Sequence, residues 1–146
     1  MEHRPRNPAF AERVRASLAR QAFMATLGAR LVSVAPGEVG LELPFDPRLT
    51  QQNGFLHAGV IAALADNACG YAALSLMAAD AEVLSVEFKV NLMKPAAGPL
   101  FRAEGRVVRA GRTLTVCTGE VRAVDGAEET VVALMQATMM QVPGGR

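Results

Sequence analysis

The chain has 146 residues, of which 51% are hydrophobic and 20% charged, with a formal net charge of +1. That length fits one compact domain, and the balance of apolar and charged residues excludes a disordered chain or one that coats nucleic acid by charge. No second domain, nucleic-acid partner or membrane partner is expected from these totals.

Cys69 and Cys117 lie far apart without metal-ligand spacing, and no signal peptide is evident, so reduced thiols in a cytoplasmic protein are expected. His3 and His57 are the only imidazoles, too few for a transition-metal site, so no metal is expected.

The opening segment places Phe10, Val14 and Leu18 at helical spacing, which predicts a short amphipathic helix; Glu2 and Glu12 argue against a transit peptide. Residues 1–27 form this N-terminal segment, and 28–142 form the core of a single domain covering 1–146. "ARLVSVAPGEVGLELPF" reads as a hairpin turning at Pro36 and Gly37. "DPRLTQQNGFLHAG" reads as a loop, and a long helix should run from His57 or Ala58 to about Ala78. Although that stretch is long and apolar enough to mimic a membrane span, Asp66 and Asn67 sit at its centre, and a buried helix fits better. Something must then wrap it.

Strands follow. In "LSVEFKVNL" the residues Leu84, Val86, Phe88, Val90 and Leu92 alternate with Ser85, Glu87, Lys89 and Asn91, which predicts two distinct faces. Three more strands come in hairpin order: "PLFRAEGRVVRA", then "RTLTVCTGEVRAV" after Gly111, then "ETVVALMQATMMQV". The expectation is an α+β fold in which one curved antiparallel sheet wraps a long helix.

Asp66 is the feature that ordinary packing does not explain. A carboxylate in an apolar helix is disfavoured by desolvation unless it is partnered, and function is the usual reason to keep one. The stretch "QQNGFLHAGVIAALADNACGYAAL" resembles the hotdog-fold thioesterases, in the PaaI-like phenylacetate-pathway branch related to the 4-hydroxybenzoyl-CoA thioesterases. His57-Ala58-Gly59 and Leu64-Ala65-Asp66 stand at the family's spacing, and the likeness covers about Gly28 to Val142. It implies acyl-CoA hydrolysis without an added cofactor.

The resemblance also implies roles. Asp66 matches the catalytic carboxylate, as nucleophile or as general base. Ala58 matches a glycine whose backbone N–H polarises the thioester carbonyl, Gln51 an amide that orients substrate or water, and Ser85 a hydroxyl that positions water. Asn53 and Gly59 fall beside these as substrate contacts. Bland readings stand next to these: Gln51 as a solvated loop residue, Ser85 as an outward strand position, and His57 as structural support where the helix begins. Six basic residues from Lys89 to Arg112 face only Glu87 and Glu104, which suits the phosphates of CoA; Lys89, Arg109 and Arg112 are the candidates. Tyr71, Leu74 and Phe88 are candidates for acyl lining or for ordinary core.

Ala58 and Asp66 are eight residues apart on one helix, hence about 12 Å along its axis and too far apart to hold one thioester together. Antiparallel packing of two subunits would bring Asp66 of one to Ala58 and Gln51 of the other, so a homodimer, and in this family often a dimer of dimers, is expected. The alternatives are a hotdog hydratase or dehydratase using His57 and Asp66, and a non-catalytic acyl-CoA-binding protein.

Overall fold

The computed structural model describes residues 3–145. Its elements are α1 (Phe10–Ala19), α2 (Ala22–Leu27), β1 (Arg30–Ala35), β2 (Glu38–Pro44), α3 (Ala58–Leu74), β3 (Ala81–Leu92), β4 (Leu100–Ala110), β5 (Leu114–Asp125) and β6 (Glu128–Pro143). The six strands form one sheet in the order β1-β2-β4-β5-β6-β3, with every neighbouring pair antiparallel. This is the expected α+β hotdog arrangement: the sheet curves around α3, which packs on β2, β3, β4, β5 and β6. Strands β4, β5 and β6 follow as hairpins, whereas β3 crosses to the far edge and pairs with β6. No described helix is long and apolar enough to cross a membrane.

Close approach of helix to sheet is set by two cross-strand glycines. Gly105 on β4 pairs with Gly119 on β5, and a Cβ on Gly105 would lie 2.2 Å from the Ala68 carbonyl carbon. With no side chain there, the backbone of α3 rests directly on the sheet. Leu41, Leu43, Phe101, Val121 and Met139 pack around Leu64, Ala65 and Ala68 as the buried core.

Three features depart from the sequence expectation. The single N-terminal helix is two helices, broken at Arg20 and Gln21, with Val14 and Leu18 of α1 and Met24 and Leu27 of α2 buried. The long helix stops at Leu74 rather than near Ala78. There the Ser75 hydroxyl donates to the Ala72 carbonyl at 2.6 Å and accepts from the Gly37 N–H at 2.8 Å. Leu76 and Met77 turn their N–H groups to the carbonyls three residues back, tightening the last turn. Arg6 Nε donates to the Leu76 carbonyl and the Arg13 guanidinium to that of Ala78, so two cations meet the negative end of the helix.

The third departure is in β3, whose ladder with β6 shifts between Ser85 and Glu87. Val86 is the extra residue of a β-bulge. Ser85 pairs with buried Met139 and so faces the helix, as do Phe88 and Val90 opposite buried Ala137 and Met135. Leu84, paired with Met140, shares the outer face with Glu87, Lys89 and Asn91. The strict alternation read from the sequence is therefore interrupted: Ser85 leaves the polar set and Leu84 joins it.

The outer edge of β3 and one face of α3 are left open on the single chain. Strand β3 is an edge with Leu84 55%, Val86 53%, Phe88 44% and Leu92 54% exposed, and α3 leaves a half-buried stripe of Ala62, Ala63, Asp66, Asn67 and Gly70 uncovered by the sheet.

Candidate active site

The loop before α3 is built by its own backbone. Gln51 N–H donates to the Phe55 carbonyl at 2.9 Å and Gly54 N–H to that of Gln51 at 3.0 Å, while the Gln51 side-chain oxygen accepts from the Asn53 N–H. Leu56 N–H then reaches the Ala96 carbonyl at 3.0 Å, which draws residues 93–96 against the loop.

His57 is the N-cap of α3: its backbone is extended, and its Nδ1 accepts from the Gly59 N–H at 2.8 Å. That cap satisfies one of the helix's free donors, while Val60 and Ile61 direct theirs to the His57 carbonyl. The Ala58 N–H, at the first helical position, has no acceptor among the described residues. No described non-glycine residue has a positive φ, so the Cβ of Ala58 is carried without strain. The free amide opens on a cavity of about 430 Å³ lined by Gln51, Asn53, Phe55, Ile61, Met93 and Lys94, among others.

Asp66 opens on a different cavity. Its Oδ1 accepts from the Ser85 hydroxyl at 2.7 Å, and no described residue donates to Oδ2. The bulge at Val86 is what aims Ser85 at the helix. The carboxylate is half-buried rather than enclosed, so the isolated buried acid suggested by the sequence is a partnered one at the mouth of a cavity of about 310 Å³. Asn67, Gly70, Tyr71 and Val83 line it, and Ser17 and Gln21 of the N-terminal segment bound it. It has no lining residue in common with the cavity at Ala58.

The remaining sequence candidates scatter. Arg109 and Arg112 are exposed beside the β4–β5 turn and line neither cavity. Lys89 bonds Asn91 at 2.8 Å and lines a cavity of about 500 Å³ on the outer face of the sheet. There Arg106 and Arg122 are paired with Glu104 and Glu120, which leaves little free positive charge for phosphates. Gly59 is exposed beside His57, Leu74 belongs to the core, and Phe88 is on the exposed edge. His57 lines neither cavity, and its Nδ1 is engaged at the helix cap. The paired histidine and acid that a hydratase needs are thus not brought together within one chain. Lys94, one of the six basic residues counted in the sequence, reaches the Ala58 cavity in place of the three singled out, and sequence reasoning missed Met93, Ser17 and Gln21, each brought in by contacts that join distant parts of the chain and leave no local pattern.

Cys69 and Cys117 are not nucleophile candidates. Both are fully buried; burial first, then the neighbouring Cys117 and Asp66, pushes the Cys69 thiol far up, and burial pushes Cys117 to about 12. The native protein should therefore leave a chromogenic disulfide reagent unreacted and bind about two equivalents only after denaturation; rapid native labelling would contradict this burial.

The sequence model of the thioesterase superfamily matches residues 53–130. A solved thioesterase family protein from Silicibacter pomeroyi is 52% identical, covers 92% of this chain and 99% of its own, and superposes with a TM-score of 0.90. The 1,4-dihydroxy-2-naphthoyl-CoA hydrolase of Listeria monocytogenes is 27% identical over 71% of this chain and 83% of its own length. The PaaI protein from the phenylacetic acid degradation operon of E. coli shares the fold at 19% identity, TM-score 0.83, covering 92% of this chain and 94% of that one. The match runs from Asn53 in the loop through the helix with Asp66 and the strand with Ser85, and on it this chain belongs to the thioesterase superfamily of hydrolases.

Proposed function

We propose that the protein hydrolyses acyl-CoA thioesters in a site shared by two subunits of a homodimer. The observation that carries this reading is the division of the machinery: the free Ala58 amide with Gln51 opens on one cavity and Asp66 with Ser85 on another, with no wall in common. Neither half is sufficient. The exposed edge of β3 and the small-residue stripe on α3 supply self-complementary surfaces, one for strand pairing and one for close antiparallel helix contact. Such a contact lays Asp66 of one subunit beside Ala58 of the other.

In that arrangement the thioester carbonyl oxygen accepts from the Ala58 N–H at the positive end of α3, where negative charge develops on attack. The Ser85 hydroxyl holds Oδ1 of Asp66 and leaves Oδ2 to attack the carbonyl carbon or to take a proton from the attacking water. Collapse of the tetrahedral intermediate breaks the carbon–sulfur bond, and the CoA thiolate takes up the proton that came from water; where Oδ2 attacked, water then opens the resulting anhydride, releases the free acid and regenerates the Asp66 carboxylate. Lys94, on the wall of the Ala58 cavity, supplies positive charge where the CoA arm enters.

The test is incubation of the full chain with a panel of acyl-CoA thioesters while free thiol is followed. Thiol release is expected. Absorbance change of an enoyl thioester without thiol release would point to a hydratase, and saturable binding without turnover to a binding protein; either would overturn the reading. Ser85→Ala should lower kcat by about ten- to a hundredfold, the range for losing one hydrogen bond to a charged group, with KM less affected. Unchanged kcat would make the Ser85 bond incidental.

A further inference from the structure

The exposed edge of β3 carries a sequence that mirrors itself with its charges exchanged. From Val86 to Val90 the order is apolar, acid, aromatic, base, apolar, centred on Phe88. The ladder with β6 runs unbroken from Glu87 to Leu92, and the other side of β3 has no strand beside it. Glu87 and Lys89 share the outer face of the sheet, where Arg102, Arg106 and Arg122 are each paired with a glutamate. Neither Glu87 nor Lys89 joins an ion pair among the described residues. The Glu87 carboxylate accepts only from the Thr138 hydroxyl, and Lys89 Nζ donates to the Asn91 side-chain oxygen at 2.8 Å.

We infer that the two-fold axis of the dimer crosses β3 at Phe88, where Glu87 and Lys89 form reciprocal ion pairs with the partner's Lys89 and the partner's Glu87. These pairs fix the strand register and confine the edge to a second copy of this chain. The inference rests on the shared-site reading above and adds the residues that align its two halves. For the two α3 helices to meet, both must lie on one side of a continuous sheet, so side chains directly opposite across the new ladder share a face. The axis then passes through a residue, not between two. Through Glu87 or Lys89 it would set like charges together; through Val86 it would fall on the bulge, and through Val90 it would set Lys89 against Asn91. At Phe88 an acid faces a base twice over, with ring against ring between them. The cavities agree with that position. Strand β3 borders the Asp66 cavity with Val83, Leu84 and Ser85, and the Ala58 cavity with Leu92 and Met93. An axis that lays Asp66 beside the partner's Ala58 crosses α3 midway between those two positions, and the matching midpoint of β3 falls at Phe88.

Sedimentation and disulfide crosslinking of the full chain test this. Glu87→Lys sets lysine against lysine twice in each dimer, and Lys89→Glu sets acid against acid. Each should raise the dimer dissociation constant by about tenfold or more, through two lost pairs and two repulsions. An equimolar mixture of the two variants should associate nearly as well as the wild type, because in a mixed dimer every lysine again faces a glutamate. The chain carrying both substitutions should do the same, and salt at about 1 M should shrink all these differences. Phe88→Cys should oxidise readily to a covalent dimer, its Cα atoms lying within disulfide reach across the axis. Val90→Cys, about 13 Å from its own counterpart, should not. Dimers indifferent to the charge variants, a mixture that fails to recover, or crosslinking through Val90→Cys in place of Phe88→Cys would overturn the inference. In each of those cases a dimer that still releases thiol would leave the shared-site reading standing. A wild-type chain that sediments as a monomer while hydrolysing thioesters would overturn both.

Discussion

Asp66→Asn is expected to lower kcat by about a hundredfold or more with KM little changed, the scale for removing an acid–base group. The substitution is nearly isosteric, and the new amide oxygen can still accept from the Ser85 hydroxyl that now holds Oδ1 at 2.7 Å. What disappears is the negative charge on the other oxygen, the one that no described residue engages. Geometry is kept and reactivity removed, so the loss should appear in kcat. Thiol release at saturating substrate, with a melting curve matching the wild type, provides the measurement. Full turnover in this variant would remove Asp66 from the mechanism.

The second large effect concerns Ala58, whose contribution is a backbone N–H that ordinary side-chain substitution cannot delete. Proline can. Ala58 is the first residue of α3, the one helical position that tolerates proline, because the N–H lost there has no intrahelical acceptor. His57 before it has φ −61 and ψ 139, the extended conformation that a residue preceding proline favours. Ala58→Pro should therefore fold normally and lose about a hundred- to a thousandfold in kcat, the range for deleting one oxyanion donor.

Mixing this variant with Asp66→Asn then asks whose amide serves whose acid. If the site is shared, random reassortment makes half of the dimers mixed, each with one intact site and one doubly damaged, so about a quarter of wild-type activity should return. If each chain carries its own site, mixing restores nothing.

The sequence made much of this fold legible because its patterns are local. The apolar run with a single acid identified α3, and the turn residues around Gly111 and Gly126 separated β4, β5 and β6. The Ala58–Asp66 spacing is what raised the expectation of a second subunit. Less visible were features decided between distant segments. The end of α3 is set by Ser75 and Gly37 together with arginines from the N-terminal segment, and nothing within residues 75–78 announces it. The break at Gln21 is tied to a phenol on another helix. The basic residues between Lys89 and Arg112 looked like one cluster in a linear reading, but strand alternation divides them: Lys89 and Arg106 line the outer face, paired or bonded to neighbours, while Lys94, beyond the end of β3, reaches a cavity.

The extra residue in β3 has a further meaning. Ser85, Glu87, Lys89 and Asn91 have the same parity in the sequence, so a straight strand would either turn Ser85 away from Asp66 or drive three hydrophilic side chains against α3. A half-step offset at Val86 separates the two tasks: the leading half of the strand is in phase with the helix, and the trailing half keeps its charges in water. Excising Val86 is accordingly a length change that both halves of this strand should survive.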